Sequence, residues 1–391
     1  MPGTVTIAGA GIGGLTAALT LARRGFSVTV LERAVALDEI GAGIQLSPNA
    51  SRILVDLGLG DALATPAVVP EAMVVRSATT GGTLASAELG EAVARRYGAP
   101  WWVIHRADLL AILAAACRSE SAIHIETGVT VTGLALASDG VRLDLSRDGE
   151  RNSATTEALV GADGLRSAVR AALGDGAPPD FRRRVAWRAT MPMEAVPQAL
   201  AGGRLGLWLG ADAHCVHYPL RTGRLFNIVV LLKADAPVEG WRAPGDPALL
   251  ARRLAGWPAA LREVVARVDD WQCWSLADRP AWFGPERGPV TLMGDAAHPM
   301  LPFVAQGGAM AIEDAAVLAD EAATTPDDLA AAFRRFAARR KARVARVQAL
   351  ARRNGAIYHL KGPAALARDL AIRVMGGGIV ASQDWIYGWR P

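Results

Sequence analysis

The sequence of 391 residues predicts an α/β fold with two lobes and a helical C-terminus. Three observations lead to this prediction. A glycine-rich turn at 9–14 follows a short apolar run and precedes a helical pattern. Segments in which apolar and polar residues alternate fill the middle of the chain, between residues 73 and 232. From Thr325 onward the pattern is helical almost to the end, with a break at 376–378.

The N-terminal segment is predicted to form a β-α-β unit. Residues 4–8 are predicted as a strand, 15–24 as a helix that Gly25 ends, and 26–31 as a second strand that ends at Glu32. Because this order of elements places two strands side by side in the same direction, it implies a parallel sheet. Later strands are predicted at 73–76, 141–145, 204–209, 214–220 and 225–232, the last two joined by a hairpin turn.

Composition and charge argue against several classes of protein. With 51% hydrophobic residues the chain can build a large core. The net charge is +4, but the arginines are spread along the chain, which does not indicate a nucleic-acid surface. The basic segment 334–353 has helical apolar spacing, so we predict a solvated helix face there, with docking or a membrane-surface role as the alternative.

The cysteines and histidines predict neither a disulfide framework nor a metal site. The three cysteines are widely separated, which suits a reducing compartment and predicts a cytoplasmic protein. His214 and His217 would face opposite sides of a strand, so they cannot share a metal ion. The uncharged stretch 5–22 contains four glycines and lacks a basic leader, so we predict no membrane span.

Residues 9–14, GAGIGG, match the G-x-G-x-x-G pattern of dinucleotide-binding folds. Gly9, Gly11 and Gly14 permit a tight turn and let the backbone approach a pyrophosphate, whose charge meets the helix N-terminus. Glu32, at the end of the second strand, would accept hydrogen bonds from an adenosine ribose. The pattern does not distinguish NAD from FAD, and an NAD-dependent dehydrogenase therefore remains an alternative at this point.

Two later segments combine a strand end, an acid and a helix start. Residues 159–170 read LVGADGLRSAVR, in which Asp163 follows a strand; taken alone, Asp163 could be an ordinary helix cap. Residues 294–308 read GDAAHPMLPFVAQGG, with Asp295 after an apolar run and paired glycines where a helix begins. A helix that starts near these glycines directs backbone N–H groups and its positive end outward.

Five segments together resemble the single-component flavoprotein aromatic hydroxylases, the family typified by 4-hydroxybenzoate hydroxylase. They are 9–14 (GAGIGG), 41–50 (GAGIQLSPNA), 105–110 (HRADLL), 161–170 (GADGLRSAVR) and 294–308. The resemblance covers most of the chain and implies a Rossmann-like FAD-binding lobe of the glutathione-reductase type, with an inserted sheet-rich substrate lobe. The expected boundaries are 1–70, 98–175 and 276–325 for the FAD-binding lobe, 71–97 and 176–275 for the substrate lobe, and 326–391 for the C-terminal helical segment.

By this resemblance FAD is the bound cofactor, and NADH or NADPH is a transient reductant. Arg106 is expected to contact FAD, the Asp163 turn to lie beside the pyrophosphate, and Asp295 to bind a ribityl hydroxyl. The helix that begins at Gly307 and Gly308 would stabilise the anionic reduced flavin with its positive end. The predicted cofactor-binding residues are Gly9, Gly11, Gly14, Glu32, Arg33, Arg106, Val131, Asp163, Asp295, Gly307 and Gly308.

The predicted strand 214–220, HCVHYPL, is similar to the substrate-facing strand of family members that hydroxylate 3-hydroxybenzoate. His214 and Tyr218 share one face of this strand. We predict His214 as the general base that deprotonates a phenol, and Tyr218 as the residue that orients the ring or its carboxylate.

Four further residues are predicted to bind the substrate. Gln45 matches the same relatives, whereas members that act on 6-hydroxynicotinate have a histidine there. Pro302 stands where the 3-hydroxybenzoate relatives have a glutamine, and with Phe303 it predicts a more apolar wall, closer to salicylate-hydroxylase-like sequences. Arg188 could bind a carboxylate through its guanidinium. The alternative interpretation is that Arg188 is a surface arginine beside a packed Trp187.

The resemblance implies hydroxylation of a phenolic aromatic acid, hydroxybenzoate-like or a hydroxypyridine carboxylate, with NAD(P)H and O2 through a C4a-hydroperoxyflavin. The protein would act as a monomer or homodimer, without nucleic acid. The alternatives are an NAD-dependent dehydrogenase and a non-catalytic flavin-binding protein. A flavin-dependent halogenase is disfavoured, because residues 271–275 do not match its W-x-W-x-I-P stretch.

Overall fold

The computed structural model describes residues 3–37, 42–138, 140–240 and 242–391. Its strands are β1 Thr4–Ala8, β2 Ser27–Glu32, β3 Gly43–Leu46, β4 Ala72–Ser77, β5 Thr83–Glu88, β6 Trp102–His105, β7 Ile123–Thr127, β8 Val129–Ala137, β9 Gly140–Arg147, β10 Glu150–Thr156, β11 Ala158–Gly161, β12 Asp180–Pro192, β13 Leu205–Gly210, β14 Ala213–Leu220, β15 Leu225–Lys233, β16 Ala243–Pro244, β17 Gln272–Asp278 and β18 Val290–Leu292.

The α-helices cluster near the N-terminus and in the C-terminal third of the chain. They are α1 Ile12–Ala22, α2 Pro48–Asp56, α3 Gly60–Ala64, α4 Gly90–Tyr97, α5 Arg106–Ser119, α6 Ala168–Ala172, α7 Pro247–Arg253, α8 Ala259–Arg267, α9 Gly294–Ala297, α10 Gly307–Thr324, α11 Leu329–Tyr358, α12 Pro363–Met375, α13 Gly378–Ala381 and α14 Asp384–Tyr387.

A five-stranded parallel sheet carries the glycine-rich turn. Its strand order is β18-β11-β1-β2-β7, so β1 lies at the centre, and the predicted β-α-β unit is confirmed. The core residues Val5 and Ile7 of β1 are fully buried, as expected for a strand with both faces covered. Because the carboxyl ends of parallel strands meet at one edge, the segments that follow β1, β2, β11 and β18 converge there.

An eight-stranded sheet forms the second large layer, in the order β16-β17-β12-β15-β14-β13-β4-β5. The β14–β15 hairpin predicted from the sequence is confirmed, and its strands pair antiparallel from Ala213↔Leu232 to Leu220↔Leu225. Along β14, alternate residues such as Ala213 and Cys215 pack into a core that includes Leu250 of α7 and Val264 of α8. The other face of the sheet is therefore left for a cavity.

Two smaller sheets complete the strands. β8, β9 and β10 form an antiparallel sheet of three strands, and β3 pairs with β6, with Gln45 opposite Val103. The strands within 72–88 and 180–278 belong to the eight-stranded sheet, which supports the division into lobes; its boundaries stay a prediction.

The helical C-terminus is confirmed. The segment 334–353 lies in α11, and its outer side is exposed as predicted, for example at Arg334, Lys341 and Arg353, whereas its inner side is buried. Arg340 is 1% exposed; its Nε donates to Asp314 Oδ1 at 2.6 Å, and its Nη1 lies 2.8 Å from Glu313 Oε2. Arg343 also donates to Glu313. Two of the positive charges on this helix, those of Arg340 and Arg343, are therefore paired inside the protein. No helix among the described residues is long and apolar enough to cross a membrane.

Candidate active site

One end of a long cleft lies at the carboxyl edge of the parallel sheet. Its walls include Gly11, Glu32, Arg33, Val131 and Asp163, all predicted to bind the adenosine half of a dinucleotide or its pyrophosphate. The Glu32 carboxylate accepts hydrogen bonds from the backbone N–H of residue 10 at 2.8 Å and of residue 34 at 2.9 Å. Glu32 therefore also fixes the glycine-rich turn.

The three glycines of the fingerprint have different positions. A β-carbon on Gly11 would meet no atom within 4 Å, so this residue faces open cleft. Gly9 has a φ of +108°, and a β-carbon there would lie 2.5 Å from the carbonyl oxygen of Ala162. A β-carbon on Gly14 would overlap the carbonyl oxygen of Gly9. Gly14 is buried and packs beneath the turn, so it permits the tight turn as the fingerprint predicted, while its role in cofactor binding stays a prediction.

Asp163 supports a loop and also faces the cleft. Its Oδ2 accepts the backbone N–H of Val169 at 3.1 Å, while Ser167 is the N-cap of α6. Its Oδ1 is buried without a hydrogen-bond partner among the described residues, and burial raises the pKa of this carboxyl. Since an unpaired buried oxygen is costly, the site fits a ligand with a donor group, such as a hydroxyl of a dinucleotide.

Asp295 and Arg106 lie together in the deeper part of the cleft. Asp295 follows β18 at the start of α9, and its exposed surface opens into this cavity. The surrounding protein raises the pKa of Asp295, and the Arg106 charge opposes that shift. Arg106 begins α5, directly after β6. The two residues come from segments almost 200 positions apart and line the same cavity; their contacts with FAD stay a prediction.

The N-terminus of α10 forms the floor of this part of the cleft. Gly307 and Gly308 line the cavity at the start of an 18-residue helix. The first N–H groups of a helix have no partner within the helix, so they and the positive helix end face the cavity. A β-carbon on Gly308 would lie 2.7 Å from Ile44 Cδ1. The residue is therefore small because the β3 strand passes close by.

The β14 strand forms the opposite wall of the same cavity. His214, Val216 and Tyr218 line it, whereas His217 faces the other side and stacks on Phe226 at 5.0 Å between ring centroids. The predicted alternation of this strand is confirmed. Burial raises the pKa of the Tyr218 phenol. Gln45 of β3 lines the same cavity, which has a volume of about 320 Å³.

His214 contacts His359, and His359 in turn contacts Arg184; the sequence indicated neither of these two residues. The ring is 1% exposed, and its Nδ1 lies 2.7 Å from His359 Nε2. His359 Nδ1 in turn accepts a hydrogen bond from Arg184 Nε at 2.8 Å. Burial, with the charge of Arg184, places the pKa of His214 well below its usual value and lowers that of His359 to about 3. Both rings are therefore neutral at physiological pH.

Arg188 lines the cavity beside Tyr218. Its guanidinium carbon lies 5.1 Å from the centroid of the Trp274 ring, and its charge opposes the rise in the pKa of Tyr218. Trp187 packs into the core on the other face of β12. Arg188 is therefore a residue of the cavity wall, unlike the surface arginine that was the alternative.

Pro302 and Phe303 have different positions, which corrects one prediction. Pro302 lines the cavity, but Phe303 does not belong to its described wall. Phe303 packs behind His214, with 5.2 Å between the ring centroids, and against Gly355, where a β-carbon would lie 2.6 Å from Phe303 Cε2. The apolar wall is instead formed by Ile44, Val216, Val229, Leu231, Met300 and Pro302.

A buried polar network supports the cofactor side of the cavity. Asn49 Nδ2 donates to Gln306 Oε1 at 3.0 Å and to Glu313 Oε1 at 2.7 Å, and so connects residues 41–50 to α10. Arg170 donates to the carbonyl oxygens of residues 296 and 297 at 3.0 and 2.9 Å. Asn49 and Arg170 were not predicted as site residues, but both lie in segments on which the family resemblance rests, and that resemblance could have indicated them. Gly41 of that segment lies outside the described residues.

Within the described part of the chain, no three His, Cys, Asp or Glu side chains come together as ligands of a metal ion. The three cysteines are buried and are not joined in disulfides.

Comparisons with known proteins agree with this geometry. The model of the FAD binding domain family matches residues 3–350. The chain is 35% identical over 388 residues to 3-hydroxybenzoate 6-hydroxylase from Polaromonas naphthalenivorans (strain CJ2), which covers 99% of this chain and 96% of that protein. It is 36% identical over 389 residues to 3-amino-4-hydroxybenzoate 2-monooxygenase from Streptomyces platensis, with 99% and 96% covered.

A solved structure shares the fold along almost the whole length of the chain. HpxO from Klebsiella pneumoniae, complexed with FAD and uric acid, has a TM-score of 0.85 and 28% sequence identity, covering 97% of this chain and 95% of that one. The resemblance inferred from the sequence motifs is confirmed. With the cleft, the fingerprint and the match over most of its length, the chain belongs to the FAD binding domain family and is a flavoprotein of the aromatic hydroxylase fold.

Proposed function

We propose that this flavoprotein is an FAD-dependent monooxygenase that hydroxylates a phenolic aromatic carboxylic acid with NAD(P)H and O2. One observation supports this most strongly: a single cavity joins predicted FAD-binding residues, Asp295 and Gly307 among them, to a wall that contains Arg188, His214 and Tyr218. The alternative of an NAD-dependent dehydrogenase is disfavoured, because the two relatives named above are a hydroxylase and a monooxygenase.

The substrate class follows from the groups in the cavity wall. The two relatives named above are named for hydroxybenzoates, which combine a carboxylate with a phenolic hydroxyl on one ring. In this chain Arg188 would bind the carboxylate, since a guanidinium matches a carboxylate with two parallel hydrogen bonds. Tyr218 and His214 would then face the hydroxyl side of the ring, with Gln45 at its edge.

The chain's own residues prepare the site for oxygen transfer. Bound FAD would accept a hydride from NAD(P)H and activate O2. Asp295 and the first turn of α10 would hold the cofactor, and the positive helix end favours its anionic reduced form. The apolar wall of Ile44, Met300 and Pro302 limits the access of water. Less of the activated oxygen is then released as peroxide without hydroxylating the substrate.

A substrate screen tests the proposed function. Purified FAD-loaded protein should oxidise NADH or NADPH faster when a hydroxybenzoate or a hydroxypyridine carboxylate is added, and product analysis should find one added oxygen atom. If the protein binds FAD and no such acid stimulates oxidation or gains oxygen, the proposed function is wrong. A non-catalytic flavin-binding protein would give that result.

The role of Arg188 can be tested separately. Arg188→Lys keeps the charge but removes the planar pair of donors, so we expect the KM for the stimulating acid to rise at least about tenfold. Arg204→Lys is the matched control, because Arg204 is 63% exposed beside β13. An unchanged KM in Arg188→Lys would contradict carboxylate binding by this residue.

The compartment and the oligomeric state of the enzyme are also proposals. We propose a cytoplasmic protein that acts as a monomer or homodimer. The three cysteines without disulfides suit a reducing compartment. Sedimentation of the FAD-loaded protein would give its oligomeric state.

A further inference from the structure

Three side chains form a hydrogen-bonded series that ends at the cavity. The Arg184 guanidinium lies on β12, His359 follows α11, and His214 lies on β14. Arg184 Nε donates to His359 Nδ1 at 2.8 Å, and His359 Nε2 lies 2.7 Å from His214 Nδ1. His214 lines the cavity, and Nδ1 is the ring nitrogen that it directs to His359.

This series determines where each proton lies. An arginine side chain only donates, so His359 Nδ1 must be the acceptor. A neutral imidazole with a bare Nδ1 carries its proton on Nε2, and His359 Nε2 therefore donates to His214 Nδ1. His214 Nδ1 is then the acceptor, and its own proton must lie on Nε2. The N–H donor of Arg184 thus selects the tautomer of His214, a ring two hydrogen bonds away.

The surroundings keep both rings neutral. Tyr358 and Phe303 pack on the His214 ring, with centroids 5.4 and 5.2 Å away, and Arg184 faces the series from β12. The Asp212 carboxylate acts in the opposite direction on His359, but Lys361 Nζ lies 3.0 Å from it. A proton added to either ring would lie beside a fixed arginine in a buried site.

We propose that His214 acts as a hydrogen-bond donor to the phenolate oxygen of the bound acid, with Arg184 and His359 as the positioning residues that fix its tautomer. This proposal rests on the proposed function for its substrate, and it differs from the general base predicted from the sequence. A general base needs a bare nitrogen toward the phenol, whereas here the nitrogen away from His359 already carries a proton. The phenolic proton therefore leaves to water as the acid binds in its anionic form.

The consequence for the substrate is a lower phenol pKa. A donor bonded to an anionic oxygen favours the anion, and hydrogen bonds to a charged group are the stronger kind. A free phenol has a pKa near 10, so it is about 1% ionised at pH 8. A phenolate ring attacks an electrophilic oxygen far better than a phenol ring does, and His214 would supply this activation without accepting a proton.

The tautomer can be measured without any substrate. Long-range ¹H–¹⁵N spectra of the ¹⁵N-histidine-labelled, FAD-loaded protein distinguish Nε2–H from Nδ1–H rings, and His214→Gln and His359→Gln assign the two signals. We expect both rings as neutral Nε2–H forms between pH 6 and 8. Arg184→Met should shift the His359 and His214 signals toward a tautomer mixture, while Arg183→Met, at an exposed neighbouring position, should not. An Nδ1–H or protonated His214 in the unaltered protein would overturn the proposal.

A second experiment tests the role in the reaction. The amide nitrogen of Gln can donate from about the place of imidazole Nε2 but cannot serve as a base. We expect His214→Gln to keep the coupling of NADH oxidation to hydroxylation of 3-hydroxybenzoate within about tenfold, and His214→Leu to lose about 10²-fold or more, the range for removal of one hydrogen-bond donor to an anionic oxygen. Equal losses in both variants would overturn the donor role.

Failure of the two proposals can be told apart. If 3-hydroxybenzoate neither binds nor reacts, the substrate assignment fails, and the tautomer spectra still decide the state of His214. If it binds, ultraviolet difference spectra give the pKa of its phenol on the protein, which we expect to be lowered in the unaltered enzyme and in His214→Gln, but not in His214→Leu. An unlowered phenol pKa in the unaltered enzyme would contradict the donor role.

Discussion

His214 and His298 are equally buried, at 1% exposed, but they have opposite kinds of partner. His214 contacts a neutral ring that an arginine bonds in turn. His298 Nε2 lies 2.5 Å from Asp314 Oδ2, and that carboxylate also accepts hydrogen bonds from Arg340 Nε and from the backbone N–H of residue 294. In the first region, the neutral region, the hydrogen bond at His214 joins two neutral rings; in the second, the charged cluster, His298 bonds a carboxylate that pairs with an arginine.

The difference teaches that the partner, and not burial alone, decides how a buried polar group behaves. Burial alone would raise the pKa of Asp314, but His298 and Arg340 bring it to about 2. At His214 no carboxylate counters burial, and the pKa falls. The charged cluster anchors the α9 turn of the cofactor site to α10 and α11, while the neutral series sets a donor at the substrate wall.

Breaking the charged cluster should have the largest effect. In Asp314→Asn, Arg340 and the backbone N–H of residue 294 lose a carboxylate partner inside the core. We expect the free energy of unfolding to fall by about 3–5 kcal/mol, as when one partner of a buried ion pair is removed. Urea denaturation of the FAD-loaded protein at pH 7 measures this loss.

The matched control is Asp320→Asn. Asp320 pairs with Arg24 at the surface, where both side chains are partly exposed, so we expect a loss of no more than about 1 kcal/mol. If the two variants lose equal stability, the cluster around Asp314 does not have the strength inferred for it. The stability due to Asp314 should be present above about pH 4 and be lost as pH falls through about 2.

Acid should destabilise the protein through two buried histidines, His359 in the neutral region and His217 on the other face of β14. His217 and His359 have pKa values lowered to about 3, so the folded protein leaves these rings neutral where the unfolded chain binds protons. Stability is therefore complete above about pH 6.5 and falls as pH decreases, by about 1.4 kcal/mol per pH unit for each such ring. His217→Asn, on the face away from the cavity, should reduce the slope of unfolding free energy against pH by that amount between pH 6 and 4.

The check is a series of urea titrations at constant FAD excess. The unaltered protein and His217→Asn should converge as pH falls, because only the unaltered chain gains a proton at position 217 on unfolding. Parallel lines for the two proteins would show that His217 titrates normally in the folded state.

The smallest expected effect is the difference in stability between two variants that carry the same substitution, one at His214 and one at His298. His298→Gln removes a hydrogen bond to a carboxylate, with an expected cost of about 1.5–3 kcal/mol, and His214→Gln removes one between neutral groups, with about 0.5–1.5 kcal/mol. Thermal unfolding of both variants in excess FAD would rank them. A larger loss in His214→Gln would contradict the assignment of the charged and neutral regions.

The cofactor half of the site could be predicted largely from short segments. The order strand, glycine turn, helix and acid is local, so GAGIGG and Glu32 identified that end of the cleft directly. The roles of Asp163 and Asp295 were implied by the family resemblance of their segments, and the structure shows that each follows a strand of the same parallel sheet. Gly14 was in the right motif but lies beneath the turn, since only the three-dimensional packing on Gly9 distinguishes the two roles.

The substrate half was less predictable, because its residues come from separate strands and a distant helix end. The two-residue alternation along β14 was sufficient to predict that His214 and Tyr218 share one face. Phe303 was misplaced because its neighbour Pro302 does face the cavity, and adjacent residues in a short 3₁₀ turn point in different directions.

The sequence by itself determined the first β-α-β unit, the β14–β15 hairpin, the helical C-terminus, the nucleotide turn and the family, because periodicity, turn residues and motifs act over a few neighbouring positions. Tertiary structure alone decided that His359, 145 positions from His214, meets its Nδ1, and that Arg340 is buried with Asp314. Contacts of this kind depend on how whole helices pack on sheets, and the direction of a proton in a buried series depends on all its members. No local pattern contains that information.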